Sequence, residues 1–142
     1  MLNENFKVTG EVTIQKNGEV VREIPNTIVT AGKNNIAALI TDAGAKMTHM
    51  AVGTGTTSVA AGNTTLVNEK DRNALSVAGG SPSSNTVVHT AVWAAGDGTG
   101  SLTEAGLFSA SSGGTMMART VFSAVNKGAS DVLTITWTVT IS

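Results

Sequence analysis

The residues that could bind a metal or act in catalysis are few in this sequence, and they are widely separated. His49 and His89 are the only histidines, and the chain contains no cysteine. Zinc sites usually take three or four protein ligands, so two histidines on separate segments leave such a site incomplete unless carboxylates join them. At both positions we expect a hydrogen-bonded, partly buried histidine. The sequence therefore predicts no metal site and no cofactor.

The segment Gly53-Thr54-Gly55 invites comparison with the glycine-rich loops that bind phosphate. It lacks the third glycine of a dinucleotide-binding fingerprint, and no Gly-Lys-Ser/Thr of a nucleotide-binding loop follows it. The chain also has no Gly-x-Ser-x-Gly motif, which would mark a serine nucleophile. Carboxylates that could act as general acids or bases are sparse in the middle of the chain. We interpret the segment as part of a β-turn, and we expect that the protein is not an enzyme.

One pair of opposite charges can be placed in three dimensions from the sequence. Residues 111–114, Ser-Ser-Gly-Gly, are typical of a hairpin loop. If the flanking strands pair in simple register, Glu104 lies opposite Val121, and Arg119 becomes its diagonal neighbour on the same face. Long side chains at diagonal positions can reach each other. The sequence thus predicts an ion pair between Glu104 and Arg119, with an architectural role.

The elements that must position these residues are mostly strands. Apolar and polar residues alternate over residues 6–15 and, most clearly, over residues 133–141. Asn17-Gly18 supplies the positive φ angles of a tight hairpin turn. About eight strands are expected, with turn signals every eight to twelve residues, and only residues 30–43 show helical spacing. We expect Thr30 to cap this helix and Gly44 to end it.

These patterns predict an all-β fold, a jelly-roll-like antiparallel β-sandwich with one short helix. Residues 6–142 would form a single domain, preceded by an N-terminal arm of residues 1–5. The net charge is −1, which gives no basic field for a nucleic-acid backbone. No apolar stretch reaches the roughly 18 residues of a membrane span, and the first residues do not resemble a signal peptide. We therefore expect neither nucleic acid nor a membrane as a partner.

Two features are compatible with a protein–protein interface. Residues 47–68 carry no formal charge, and such a surface of small residues either faces solvent or packs closely against another molecule. Four of the five methionines fill either the protein's own core or an interface, because methionine adapts to irregular surfaces. The candidate interface residues are Leu2, Phe6, Met47, His49, Met50, Met116 and Met117.

Several segments, taken together and in order, resemble small virion proteins of tailed bacteriophages. Residues 47–66 begin Met-Thr-His-Met-Ala-Val-Gly-Thr-Gly-Thr-Thr, and residues 69–72 are Glu-Lys-Asp-Arg before a strand. The other segments of the resemblance are Leu-Thr-Glu-Ala-Gly-Leu-Phe at residues 102–108, Met-Ala-Arg-Thr-Val-Phe at 117–122, Lys127-Gly128, and Leu-Thr-Ile-Thr-Trp-Thr-Val at 133–139. The resemblance carries no catalytic motif, and the shared residues are typical of fold determinants.

The resemblance implies a capsid decoration or cement protein, which would bind the major capsid protein and stabilise its lattice. Such a protein would form a homo-oligomer, either a dimer or a trimer. It would assemble in the host cytoplasm and end on the capsid surface of the virion. The alternative is a tail-fibre or receptor-binding structural module, since similar sequences are often named tail fibres. Only five aromatic residues are present, which supplies a sugar-binding platform poorly.

Overall fold

A computed structural model describes residues 6–142, which contain ten strands and one helix. The elements of the first half are β1 (Val8–Lys16), β2 (Glu19–Pro25), β3 (Thr27–Ile28), α1 (Thr30–Ile40), β4 (His49–Gly53) and β5 (Glu69–Ala74). Those of the second half are β6 (Ser81–Ser83), β7 (Thr86–Trp93), β8 (Gly100–Phe108), β9 (Met116–Lys127) and β10 (Leu133–Ile141).

The strands form two five-stranded antiparallel sheets. The first sheet has the order β2-β1-β10-β7-β6, and the second has the order β3-β9-β8-β4-β5. Four hairpins each stay within one sheet, namely β1–β2, β4–β5, β6–β7 and β8–β9. The predicted all-β sandwich with one short helix is confirmed.

The strongest sequence signals are reproduced closely. Asn17 and Gly18 have φ angles of 54° and 81°, as a tight two-residue hairpin turn requires. Strand β10 has the bounds that its alternation predicts, and it pairs with β1 on one side and β7 on the other. Its apolar side chains enter the core, where Trp137 is fully buried, while its threonines face outward.

The helix starts and stops differently from the prediction. It begins after Val29, and no side chain caps it, so the predicted role of Thr30 is wrong. It ends at Ile40, because Asp42 takes the left-handed conformation with φ of 59°. The amide of Ala43 then donates to the carbonyl of Ala38 at 2.9 Å, as in a Schellman motif. A short polar side chain at residue 42 thus does what was expected of Gly44.

Two further segments differ from the prediction. Strand β5 begins at Glu69, three residues before the expected start at Arg72. Its charged residues suit its place at the edge of a sheet, where they discourage pairing with another chain. Residues 81–83, expected as part of a turn, form the short edge strand β6, in which Pro82 is tolerated because its missing amide faces no neighbouring strand.

The main core lies between the two sheets, and it includes both tryptophans. A second, smaller cluster lies on the outer face of the second sheet and comprises Val29, Ala51, Leu66, Phe108 and Met116. The methionines predicted as interface residues belong to these clusters: Met47, Met50, Met116 and Met117 are at most 6% exposed. Buried side chains cannot meet a partner while the domain stays folded, so that prediction is wrong for all four.

Candidate functional site

The connection between β4 and β5, residues 54–68, is the longest segment without helix or strand in the described part of the chain. We call these fifteen residues the loop platform. They lie against the outer face of the second sheet, where Leu66 packs into the smaller apolar cluster. Irregular loops of this length are uncommon in compact domains, and they are usually either functional or disordered.

The carboxylate of Glu104, on β8, anchors both ends of the loop platform. One oxygen accepts hydrogen bonds from the amides of Gly55 at 3.0 Å and Asn68 at 2.7 Å. The other accepts from the amide of Val67 at 3.0 Å. Glu104 is fully buried, so these bonds satisfy a charge that would otherwise be costly to remove from water.

The guanidinium of Arg119, on β9, completes the anchor. Its Nε and Nη2 donate to one oxygen of Glu104 at 3.0 and 2.8 Å. It also donates to the carbonyl of Thr57 at 3.0 Å and the side-chain oxygen of Asn63 at 3.2 Å, both in the middle of the platform. The predicted ion pair is confirmed, and both side chains are fully buried. Its contacts show that it fixes the loop platform as well as joining two strands.

Gly53 and Gly55 leave the space that the carboxylate of Glu104 occupies. A Cβ at either Gly53 or Gly55 would lie 2.6 Å from a carboxylate oxygen of Glu104. Only glycine leaves room for the backbone to come this close. The phosphate-loop interpretation was set aside on spacing, and the structure shows that this glycine pair receives a carboxylate from the protein itself.

The outward surface of the loop platform is small, polar and uncharged. Its exposed residues include Thr56, Ser58, Ala60, Thr64 and Thr65. Val67 adds an apolar side chain that is 54% exposed. Because the backbone beneath is held by buried hydrogen bonds, a partner would meet a surface that needs little ordering on binding.

The remaining predicted residues do not gather at one place. His49 is half-buried on β4, and its Nδ1 lies 2.8 Å from the hydroxyl of Thr48. His89 lies on the other sheet, where burial lowers the pKa of its imidazole. Within residues 6–142 no group of three or more His, Cys, Asp or Glu side chains is placed to hold a metal ion. Phe6 is 70% exposed, and Leu2 lies outside the described residues.

The ion pair between Glu104 and Arg119 should make the stability of the fold depend on pH. Burial alone would raise the pKa of Glu104, but hydrogen bonds from Asn68, Arg119, Val67 and Gly55 together lower it below its ordinary value of 4.5. The unfolded chain therefore binds this proton more readily than the folded one. The stability that Glu104 contributes is complete above pH 4.5 and is lost as the pH falls through the lower folded-state pKa.

We therefore expect the free energy of unfolding to decline in acid, as measured by urea titrations between about pH 7 and about pH 3. Glu104→Gln should flatten this decline, because the titrating group is gone. Glu69→Gln, which removes an exposed carboxylate, should leave most of it. An unchanged acid slope in Glu104→Gln would show that other carboxylates control the acid response.

Comparison with protein-family models, with curated proteins and with solved structures found no match for this chain. In the described part of the chain, no helix has the length and apolar character needed to cross a membrane.

Proposed function

We propose that this protein is a capsid decoration, or cement, protein of a tailed bacteriophage, and that the loop platform is the surface that contacts the major capsid protein. The observation that carries the proposal is a fifteen-residue uncharged loop fixed to the sheet by a fully buried ion pair. The sequence resemblance to small phage virion proteins supports the same function. The protein would act on the capsid surface as a homo-oligomer, after assembly in the host cytoplasm.

The mechanism is mass action. A protein that binds only the assembled lattice stabilises it by about 2.7 kcal/mol per site when its free concentration is a hundred times its Kd. A rigid loop suits this task because little conformational entropy is lost at each of many repeated contacts. A surface of small residues also permits close approach of a partner's backbone.

The tail-fibre alternative is less well supported. Aromatic side chains are the usual stacking surface of a carbohydrate-binding site. Trp93, Trp137, Phe108 and Phe122 are all at most 8% exposed, so Phe6 is the one aromatic residue that a ligand could reach. Imaging of native virions by electron microscopy with a label on this chain separates the two functions. Label on the capsid faces supports decoration, whereas label at the tail tip, or none on the virion, contradicts it.

The platform itself is tested by adding charge to it. Ala60→Glu and Thr65→Glu each place a carboxylate on an exposed platform position, and neither side chain is used to hold the loop. We expect both variants to remain folded and to bind stripped capsids at least about tenfold more weakly. Thr90→Glu is the matched control, because Thr90 lies on the outer face of the opposite sheet. Equal capsid binding by all three variants would exclude the loop platform as the contact surface.

A further inference from the structure

Helix α1 contacts the sandwich mainly through its first half. Gly32 is buried, and a Cβ at this position would overlap the carbonyl oxygen of Met117, so the helix backbone lies directly on β9. In the second half, Ile36 is half-buried, while Leu39 and Ile40 are 42% and 84% exposed. The apolar side of this half therefore stands away from the sandwich and leaves a space beneath it.

A cavity of about 290 Å³ lies in this space, between α1 and one end of the two sheets. Its lining is mostly apolar and comes from both sheets, with Val87 and Val139 on the first and Met117 on the second. Lys46 is the one charged side chain among the described lining residues, and it is exposed, so its ammonium group can remain in water. Since an apolar cavity of about 150 Å³ already holds benzene, this one has room for a small molecule.

Two uncharged polar side chains line the cavity, and one of them is free to bind a ligand. The amide of Asn35 is already used, because it donates to the carbonyl of Ala45 at 2.7 Å and accepts from the amide of Ala45 at 2.9 Å. His89 is 4% exposed, and its Nδ1 is buried without a hydrogen-bond partner within residues 6–142. A half-turn of the ring about Cβ–Cγ exchanges Nδ1 with Cδ2, so the imidazole can present a nitrogen to the cavity without a change of shape. A buried nitrogen left without a partner is costly, which favours a ligand that forms a hydrogen bond with it.

We propose that the cavity binds a small phenol or apolar alcohol, whose single hydroxyl group forms a hydrogen bond with His89. Burial lowers the pKa of this imidazole more than the backbone of Trp137 raises it, so the ring is neutral at about pH 7 and does not favour an anion. A hydroxyl group can donate or accept, so it fits either tautomer of the neutral ring. A groove of about 550 Å³ between α1 and the start of β1 shares Val8 and Ile36 with the cavity, and it gives the ligand a route from solvent.

The test uses the purified full chain without capsids, so its outcome does not depend on the proposed capsid contact. Phenol and toluene are the probes, because they have nearly the same size and shape and differ in the hydroxyl group. Titration calorimetry at about pH 7 should give a Kd for phenol of about 1 mM or lower. In NMR spectra, phenol should shift the methyl signals of Val139 and Met117, which line the cavity. It should leave those of Val92, which is 44% exposed on the outer face of the first sheet. If about 10 mM of either probe leaves the cavity signals in place, water alone fills the cavity and the proposal is overturned.

Variants of the lining residues identify the hydrogen bond and the place of binding. His89→Phe keeps an aromatic ring and removes both nitrogens, so the affinity for phenol relative to toluene should fall about five- to tenfold. His89→Leu should give the same fall, which guards against a folding defect in either variant. Ile36→Trp should fill the cavity from α1 and weaken both probes at least about tenfold, whereas Val92→Trp, on the outer face of the first sheet, should weaken neither. An unchanged ratio in the His89 variants, or unchanged binding in Ile36→Trp, would overturn the proposal.

Discussion

Glu104→Gln is expected to lower the free energy of unfolding by about 3–5 kcal/mol, because it leaves the guanidinium of Arg119 buried without a counter-charge. In Glu104→Gln, a side-chain NH2 group also replaces one of the two carboxylate oxygens. That hydrogen-bond donor would then face a backbone amide that is itself a donor, because the amides of Val67 and Asn68 each point at one of these oxygens. Few single changes in a small domain have so large an effect. Urea unfolding at neutral pH measures it.

The chain provides its own control for this experiment. Glu69 and Arg72 also form an Arg–Glu pair, with Nη2 2.7 Å from the carboxylate, but here the Glu69 side chain is 36% exposed. The Arg72 side chain is 9% exposed, and without Glu69 it would keep its hydrogen bonds to the carbonyls of Ala110 and Gly113. Exposed pairs contribute only about 0–1 kcal/mol because water and salt screen them. Glu69→Gln should therefore stay within about 1 kcal/mol of the parent protein. If Glu104→Gln behaved like Glu69→Gln, the ion pair would not be what fixes the loop platform.

A second measurement separates loss of the platform from loss of the whole fold. Loops without buried anchors open locally, so their amides exchange hydrogen quickly. In Glu104→Gln we expect faster exchange at Gly55 and Asn68, whose amides donate to the carboxylate. Amides of β10, which is central in the other sheet, should keep their relative protection. Uniform loss of protection would show global destabilisation without a specific effect on the loop.

The sequence predicts the parts of this fold whose interactions are local or periodic. Strand β10 has its predicted bounds because nine alternating residues specify both the strand and its buried face. The pair of Glu104 and Arg119 could be placed because one hairpin register relates them. The helix end was missed because Asp42 takes a conformation that glycine usually takes, which residue type alone does not reveal.

Apart from the ion pair of Glu104 and Arg119, the candidate site could not be predicted, because its contacts join distant parts of the chain. Glu104 meets the amides of Gly55 and Asn68, which are 49 and 36 residues away in sequence. No spacing rule relates residues so far apart on a loop. The prediction that the methionines lie at an interface failed for another reason. A core and an interface are both apolar and closely packed, so composition alone cannot distinguish them. The glycine pair at Gly53 and Gly55 was the one available signal, because glycines often mark a close approach of the backbone, but the sequence pattern was interpreted as a β-turn.

Trp137→Ala is expected to destabilise the protein by about 3–5 kcal/mol, as removal of a large aromatic side chain from a packed core usually does. Trp137 is fully buried between the sheets, and its strand neighbours are Val12 on β1 and His89 on β7. Its Nε1 has no hydrogen-bond partner within residues 6–142. The cost should therefore come from the lost apolar contacts and the cavity, since no hydrogen bond is broken.

Two further variants test that cause. Trp137→Phe keeps most of the apolar volume and removes the unpaired donor, so we expect a cost of about 1.5 kcal/mol or less. Thr136→Ala changes the adjacent residue of β10, which faces outward, and should cost about 1 kcal/mol or less. Equilibrium urea unfolding of the three variants gives the comparison. A Trp137→Ala protein with near-parental stability would mean that the two faces of β10 are assigned the wrong way round, and Thr136→Ala should then be the more damaging change. If Phe and Ala at residue 137 cost the same, the cavity is not the source of the loss, and strain or a missed polar contact at this tryptophan would have to explain it.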